Sequence, residues 1–343
     1  MKKILLILVG GTICTSLNEK GTLEVSEKAA AELKINYEKS SSPFAKKVEI
    51  VETENMFILS ENMTVEKWNL MLKVYRENVS KCKYDGVIFA HGTDTLAYSA
   101  AMFSMALSNT SVPVFFVSSN KRLSLEDANG NDNFRAAVEC ICEGIVPNVY
   151  VTYKNISDGK MYLHLGSRIR QCANYSEDFY SVGAIDITSG DPSLYKDKYP
   201  IKVIEGRKHF TEFKPDFTLK NCVLMLKPYV GMRYDVINFG AFHAVLHGTY
   251  HSGTTCVEED KNSILQMAEK CAWSGTDVYI SPAKDEGEIY DTVRILKEKH
   301  VKFIYGYTEE AAYAKLLLAY SLHPAKGFVE KFMRSELNYE KIY

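Results

Sequence analysis

The stretch Val87-Ile88-Phe89-Ala90-His91-Gly92-Thr93-Asp94-Thr95 constrains the fold of this chain more than any other. A β-branched, aromatic run ends on a polar turn, and Leu96-Ala97-Tyr98-Ser99-Ala100-Ala101-Met102 then begins an apolar helix. A strand that passes at once into a helix is half of a β-α-β unit, and such units build parallel sheets. Parallel sheets place ligands at the carboxyl ends of their strands, so Thr93 and Asp94 are presented to a crevice. The N-terminal segment has the same form, Ile4-Leu5-Leu6-Ile7-Leu8-Val9 running into Gly10-Gly11-Thr12-Ile13. Two strand-to-turn junctions each offer a threonine hydroxyl.

Alternation continues through the first half of the chain. The pattern predicts strands near 3–9, 48–53, 86–90, 113–118 and 148–153, with helices near 64–80, 96–108 and 131–143. Thr64 supplies a cap hydroxyl and Glu66 an acidic first turn for the first of these helices. Periodicity is lost between Ser189-Gly190-Asp191-Pro192 and Lys214-Pro215-Asp216. That loss sets a linker at 191–218 between an N-terminal catalytic domain, 1–190, and a C-terminal domain, 219–343. In the second domain strands at 223–226, 244–247, 277–280 and 303–306 alternate with helices near 260–272, 288–299 and 308–321. The expected fold class is α/β: a larger, mostly parallel sheet domain followed by a smaller α/β domain.

Composition narrows the function classes. With 343 residues, 46% hydrophobic and 24% charged, the chain has material for two cores and is no disordered polymer. A formal charge of −2 provides no overall attraction to nucleic acid or an anionic membrane, and neither is expected as a partner. The apolar run after Met1-Lys2-Lys3 lasts only from Ile4 to Val9, which reads as a buried first strand rather than a secretory leader. No other run reaches the length of a membrane span. Eight cysteines occur without a C-x-x-C pair, unlike a disulfide framework or a zinc site, and a reducing cytoplasm is the expected location.

A threonine hydroxyl is a poor nucleophile at its free pKa, so a site built on one needs a proton acceptor and a donor for the oxyanion. Thr12 sits on a glycine turn that lets a backbone N–H approach a reacting carbonyl. By itself Gly10-Gly11-Thr12 also suits a structural turn with a threonine helix cap. The pairing with Thr93-Asp94 favours chemistry, because an aspartate beside a reactive hydroxyl can hold a substrate ammonium by a charge-assisted hydrogen bond.

At this point the sequence resembles the bacterial-type L-asparaginase family, and its cytoplasmic type I members in particular. Gly10-Gly11-Thr12-Ile13 matches the nucleophile motif, and His91-Gly92-Thr93-Asp94-Thr95-Leu96 matches the second motif almost residue for residue. Asn62-Met63-Thr64 with Trp68 resembles the segment after the substrate-binding serine, and Thr308 to Leu317 resembles a C-terminal helix of the cytoplasmic type. The resemblance implies a two-domain asparaginase-like fold that hydrolyses a side-chain carboxamide, L-asparagine to L-aspartate and ammonia. It implies Thr12 as nucleophile, Thr93 in the proton relay, Asp94 on the α-ammonium and Ser60 on the α-carboxylate. Glu61, Gly11 and Gly92 complete the substrate-binding set. A homodimer or homotetramer is implied, with a small-molecule amide as substrate and no metal or organic cofactor.

Three positions depart from the family pattern. Gln171, in Gly166-Ser167-Arg168-Ile169-Arg170-Gln171-Cys172, stands where the relay lysine belongs, and an amide can orient Thr93 but neither gives nor takes its proton. The lid segment from Cys14 to Ala31 has no tyrosine to close over the substrate. Glu61 repels an α-carboxylate unless it pairs with the α-ammonium. Weak activity follows if the relay is impaired. Two further readings stay open: an amidohydrolase or amidotransferase-type protein for another amide, and a catalytically impaired amino-acid-binding relative. The first rests on His164 to Arg170, which resembles the asparaginase-like subunit of the archaeal glutamyl-tRNA amidotransferase, although the extra N-terminal domain of that subunit is missing here. His243, His247 and His251 have helical spacing but strand-like surroundings, so a structural or pocket-lining role is expected for them. Lys121-Arg122 reads as a solvated loop.

Overall fold

The computed structural model describes residues 1–17, 21–25, 27–199, 217–258, 261–283, 290–299 and 301–342. Two compact units divide the chain. The first holds Met1–Phe213 with Leu337–Tyr339, the second Lys214–Glu336 with Glu340–Tyr343. Residues 200–216, most of the expected linker, lie outside the described residues.

The first unit is built on a seven-stranded sheet. Its strands are β1 (Lys2–Leu8), β2 (Val48–Glu52), β3 (Gly86–Ala90), β4 (Val114–Val117), β5 (Val149–Lys154), β6 (Met161–Leu165) and β7 (Ile185–Asp186). Their spatial order is β7-β6-β5-β4-β3-β1-β2. Strands β1 to β5 pair in parallel, in the registers Ile4↔Ile50, Leu6↔Ile88, Phe89↔Phe116 and Phe115↔Tyr150. The turn back at Tyr150↔Leu165 makes β6 and then β7 antiparallel. Such mixed sheets arise when a hairpin closes the edge of a wound sheet.

Helices α1 (Glu27–Glu38), α2 (Val65–Lys81), α3 (Leu96–Ala106) and α4 (Gly130–Cys142) intervene between the parallel strands. Helix α2 starts as expected, the Thr64 hydroxyl accepting from Lys67 N–H at 3.3 Å. Every residue of α3 except Tyr98 is buried, because alanine, methionine and phenylalanine cover its whole circumference. Phe89, Phe103 and Phe116 stack between this helix and the sheet with centroids 4.8 to 5.3 Å apart.

The second unit has a four-stranded parallel sheet, β8 (Val223–Leu226), β9 (Ala244–His247), β10 (Asp277–Ala283) and β11 (Lys302–Tyr305), paired in chain order. Its helices are α5 (Ile264–Ser274), α6 (Asp291–Lys297), α7 (Glu309–Leu322) and α8 (Lys326–Arg334). Inside it Lys315 and Glu340 form a fully buried ion pair at 2.7 Å, and Tyr307 accepts from the same ammonium at 2.8 Å. Mixed α/β architecture with a smaller second sheet is the fold class expected from the sequence. Among the described residues no helix is long and apolar enough to cross a membrane.

Candidate active site

Three loops meet above the carboxyl ends of β1, β2 and β3, and glycine makes the meeting possible. Gly10, at φ 137°, passes so close to the loop after β2 that a Cβ there would lie 2.2 Å from the Ile58 carbonyl oxygen. Gly11, at φ 75°, would place a Cβ 2.1 Å from Gly92 Cα. A Cβ on Gly92 would strike the Ser60 hydroxyl at 2.3 Å. Gly10 and Gly11 thus let the turn carrying Thr12 pass backbone against backbone with the Ile58 and Gly92 segments, while Gly92 leaves room for the Ser60 side chain. Val9 N–H and Gly10 N–H both donate to Ala90 C=O, at 3.0 and 3.2 Å, fixing the first turn to the third strand.

Thr12 and Thr93 each open a short 3-10 turn directly after their strands, as the strand-to-turn pattern requires. Both residues are half-buried. Ser60 is buried; its hydroxyl accepts from Asp94 N–H and donates to Asp94 Oδ2, both at 3.3 Å. Thr95 donates to Ser60 C=O at 2.9 Å. Ser60 and Asp94 thus form one polar edge, while Glu61 stands exposed beside it.

Gln171 reaches the same turn. Its Nε2 donates to the Thr93 carbonyl at 2.8 Å and its Oε1 accepts from Ala97 N–H at 3.2 Å, in the first turn of α3. The amide therefore grips the backbone that carries Thr93. The cations nearest in sequence are committed elsewhere: Lys160 pairs with Asp186 at 3.1 Å and Arg168 Nε donates to Tyr339 C=O. Arg170 is exposed on the small hairpin Ile169–Arg170/Tyr180–Ser181.

A cavity of about 560 Å³ opens from this edge, lined by Thr93, Asp94, Gln171, Asn120, Tyr153 and the loop Cys172–Glu177. Thr12 is not part of that lining. His91, the one histidine in the second motif, is fully buried under the turn; its Nδ1 contacts Gly92 C=O at 2.7 Å and its Nε2 the Ser99 hydroxyl at 2.9 Å. Trp68 Nε1 donates to the same hydroxyl at 2.8 Å. Burial pulls the His91 pKa down to about 4, so the imidazole is neutral and acts as a structural strut. Burial also pushes the Cys14 thiol up to about 12, which removes it as a rival nucleophile beside Thr12.

Residues 3–189 match the family model described as "Asparaginase, N-terminal". The chain belongs to the asparaginase family. Among its curated relatives, a subunit of the glutamyl-tRNA(Gln) amidotransferase of Archaeoglobus fulgidus is 27% identical over 97% of this chain and 78% of its own length. Its counterpart in Methanococcus maripaludis is 25% identical over 82% of this chain and 68% of its own. Among solved structures, the thermostable L-asparaginase from Thermococcus kodakarensis superposes with a TM-score of 0.75 at 20% identity, covering 99% of both chains. L-asparaginase I from Vibrio cholerae gives 0.73 at 22%, again over 99% of both chains. A probable cytoplasmic L-asparaginase from Campylobacter jejuni gives 0.66 at 16%, covering 98% of this chain and all of that one. The asparaginase-like family expected from the motifs is thus shown, whereas these curated relatives carry the amidotransferase name rather than that of a bacterial type I enzyme.

The structure also shows what the motifs did not. Asn120 and Tyr153 reach the cavity from the ends of β4 and β5, where the same carboxyl-edge rule applied to every parallel strand points. The histidine trio lies on no helix. His247 ends β9, buried, with Nε2 2.7 Å from the Tyr234 hydroxyl, while His243 stacks on Tyr320 and His251 is exposed. Lys121 pairs with Asp127 on the surface.

Proposed function

We propose that this chain is an amidohydrolase that cleaves a side-chain carboxamide through Thr12, L-asparagine being the reference substrate. The observation that carries the reading is the close convergence of the Gly10–Thr12, Ser60 and Gly92–Asp94 turns at the carboxyl edge of the first sheet. The Thr12 hydroxyl attacks the amide carbon, ammonia departs with the proton passed through Thr93, and water hydrolyses the resulting ester to free acid and threonine. N–H groups of the glycine turns, Gly11 and Gly92, receive the oxyanion in this reading, since glycine allows the carbonyl to approach the backbone. Asp94 takes the α-ammonium and Ser60 the α-carboxylate, with Glu61 on the ammonium side. Gln171 holds the Thr93 turn and moves no proton, so turnover is slow by the factor a positioned acid–base group normally supplies, about 100- to 10,000-fold. The enzyme works in the cytoplasm as a homodimer or homotetramer.

A second reading is favoured by Gln171 and by the names of the curated relatives: a family member serving another amide, or binding an amino acid without turning it over. Ammonia release from asparagine, glutamine and their peptides, by the native chain and by Thr12→Ala, decides among them. Release abolished in Thr12→Ala supports the proposal. Ligand-dependent thermal shifts without any release refute it in favour of a binding protein.

A further inference from the structure

The second unit carries a groove that the chemistry above does not use. It has a volume of about 790 Å³ and opens at the amino ends of β10 and β11, between α5 and the end of α6. Its apolar face comes from Leu265, Ala268 and Ala272, which recur at i, i+3 and i+7 on α5, together with Val278 of β10. Trp273 stands at the lip, since Ala272 and Gly275 on either side of it both line the groove. Its indole is 92% exposed, whereas the chain's other tryptophan, Trp68, is only 5% exposed. Tryptophan is ordinarily well buried, so one left in water beside an apolar groove marks a contact surface. Val236, likewise exposed, lies on the segment that Lys270 Nζ ties to α5 through Asp235 C=O at 3.0 Å.

Charge narrows the occupant. Lys302 in the lining is spent on Asp277 and Glu330 at 3.3 and 3.5 Å, Lys326 on Asp277 at 3.7 Å, and Glu298 on Arg294 at 2.9 Å. Among the described residues that leaves Glu269, on the α5 wall, and Lys299, on the wall after α6, as the lining charges without an ion-pair partner. One charge of each sign does not select a strongly acidic or basic partner, but it complements itself across a two-fold axis. Two-fold association also needs knob and hole on the same patch, and Trp273 beside its groove meets that condition. A knob remote from its hole would instead add copies head to tail.

We propose that this groove is a two-fold interface with a second copy of the chain. Each Trp273 enters the other copy's groove against the Leu265, Ala268 and Ala272 face, and each Glu269 meets Lys299 of the partner subunit. The aromatic anchor supplies most of the binding energy and the charges at the rim set the register. The contact lies wholly in the second unit and does not rest on the amidohydrolase reading.

The test is sedimentation velocity on the full chain across nanomolar to micromolar concentrations. The native chain is expected to associate, and Trp273→Ser to raise the dissociation constant of one association step about 30-fold, the loss typical of a hot-spot tryptophan. Glu269→Lys and Lys299→Glu each set like charges against one another across the two-fold axis and raise the same constant about fivefold. The double variant restores opposite signs and returns the constant close to native. Because Trp68 is buried, acrylamide quenching reports on Trp273, which is expected to be quenched in dilute protein and protected in concentrated protein. A native chain that stays monomeric overturns the inference, as does association that Trp273→Ser and the charge reversals leave unchanged. Equal quenching at both concentrations overturns it as well. If Trp273→Ser disturbs folding, read by circular dichroism, the charge pair decides alone: rescue in the double variant upholds the interface and no rescue overturns it.

Discussion

Gln171→Lys sets stability against activity in one substitution. The native amide makes two backbone contacts, donating to Thr93 C=O at 2.8 Å and accepting from Ala97 N–H at 3.2 Å. Lysine can replace the first and not the second, for an ammonium has no acceptor. Losing that acceptor costs about 0.5–1.5 kcal/mol. The ammonium also meets the positive end of α3, whose first turn contains Ala97, which adds about 0.3–1 kcal/mol. The expected penalty is therefore about 1–2.5 kcal/mol, which for a unit of this size lowers Tm by roughly 2–10 °C. Activity moves the other way: a proton-transfer group beside Thr93 raises kcat by about 100-fold or more. Calorimetry and ammonia release on the native chain, Gln171→Lys and Gln171→Met separate the contributions, since methionine loses the two backbone hydrogen bonds without adding charge. A Gln171→Lys protein that is as stable as native and no faster refutes both the capping role and the relay deficit.

Gly11→Ala places a methyl group 2.1 Å from Gly92 Cα at a positive φ, so it should cost about 2 kcal/mol or more and remove amidase activity, read by urea unfolding and ammonia release. Lys315→Met deprives the buried Glu340 carboxylate of its counter-ion and should destabilise the second unit by about 3–5 kcal/mol, whereas Lys315→Met with Glu340→Leu should recover most of that loss; denaturant titration of the two variants checks it. His91 and His247 are held near pKa 4 by burial against 6.5 in the unfolded chain. The unfolded state then binds protons that the native state refuses, so stability should be full above about pH 6.5 and decline as pH falls toward 4. A Tm that stays flat between pH 7 and 5 contradicts this.

Legibility in the sequence followed the length of the physical signal. Every parallel strand of both sheets was read, the central ones because burial on two faces demands uninterrupted apolar runs such as Ile4–Val9 and Val114–Val117. Helix α1 was not read, its sequence Glu27-Lys28-Ala29-Ala30-Ala31 having weak amphipathic contrast, and the two-residue strands around Ile169 and Ile185 are too short to show a period. The turn carrying Thr93 was visible as a motif, and so was the polar edge of Ser60 and Asp94. The grip of Gln171 on Ala97 was not, because it joins positions separated by 74 residues through a single side chain. Tyr153 was hidden for a different reason: inside a strand a buried tyrosine looks like any core aromatic until the sheet edge is seen to place it in the cavity lining.

Residues 337–339 belong to the first unit although the second lies between them and the rest of it in sequence. Asn338 donates to Ser104 C=O at 2.9 Å and to Asn148 Oδ1 at 2.8 Å, and its own carbonyl accepts from Ser167 at 2.6 Å. These partners come from α3, from the start of β5 and from the turn leading to Gln171. On the ribosome, then, the first unit cannot finish folding when Phe213 emerges. It must wait, with that polar socket open, until translation has passed through most of the second unit and delivered Asn338. Two residues later Glu340 arrives to neutralise Lys315 inside the second unit. The same short stretch of chain therefore serves both units, and the N-terminus-first order usual in synthesis gives way to completion almost together.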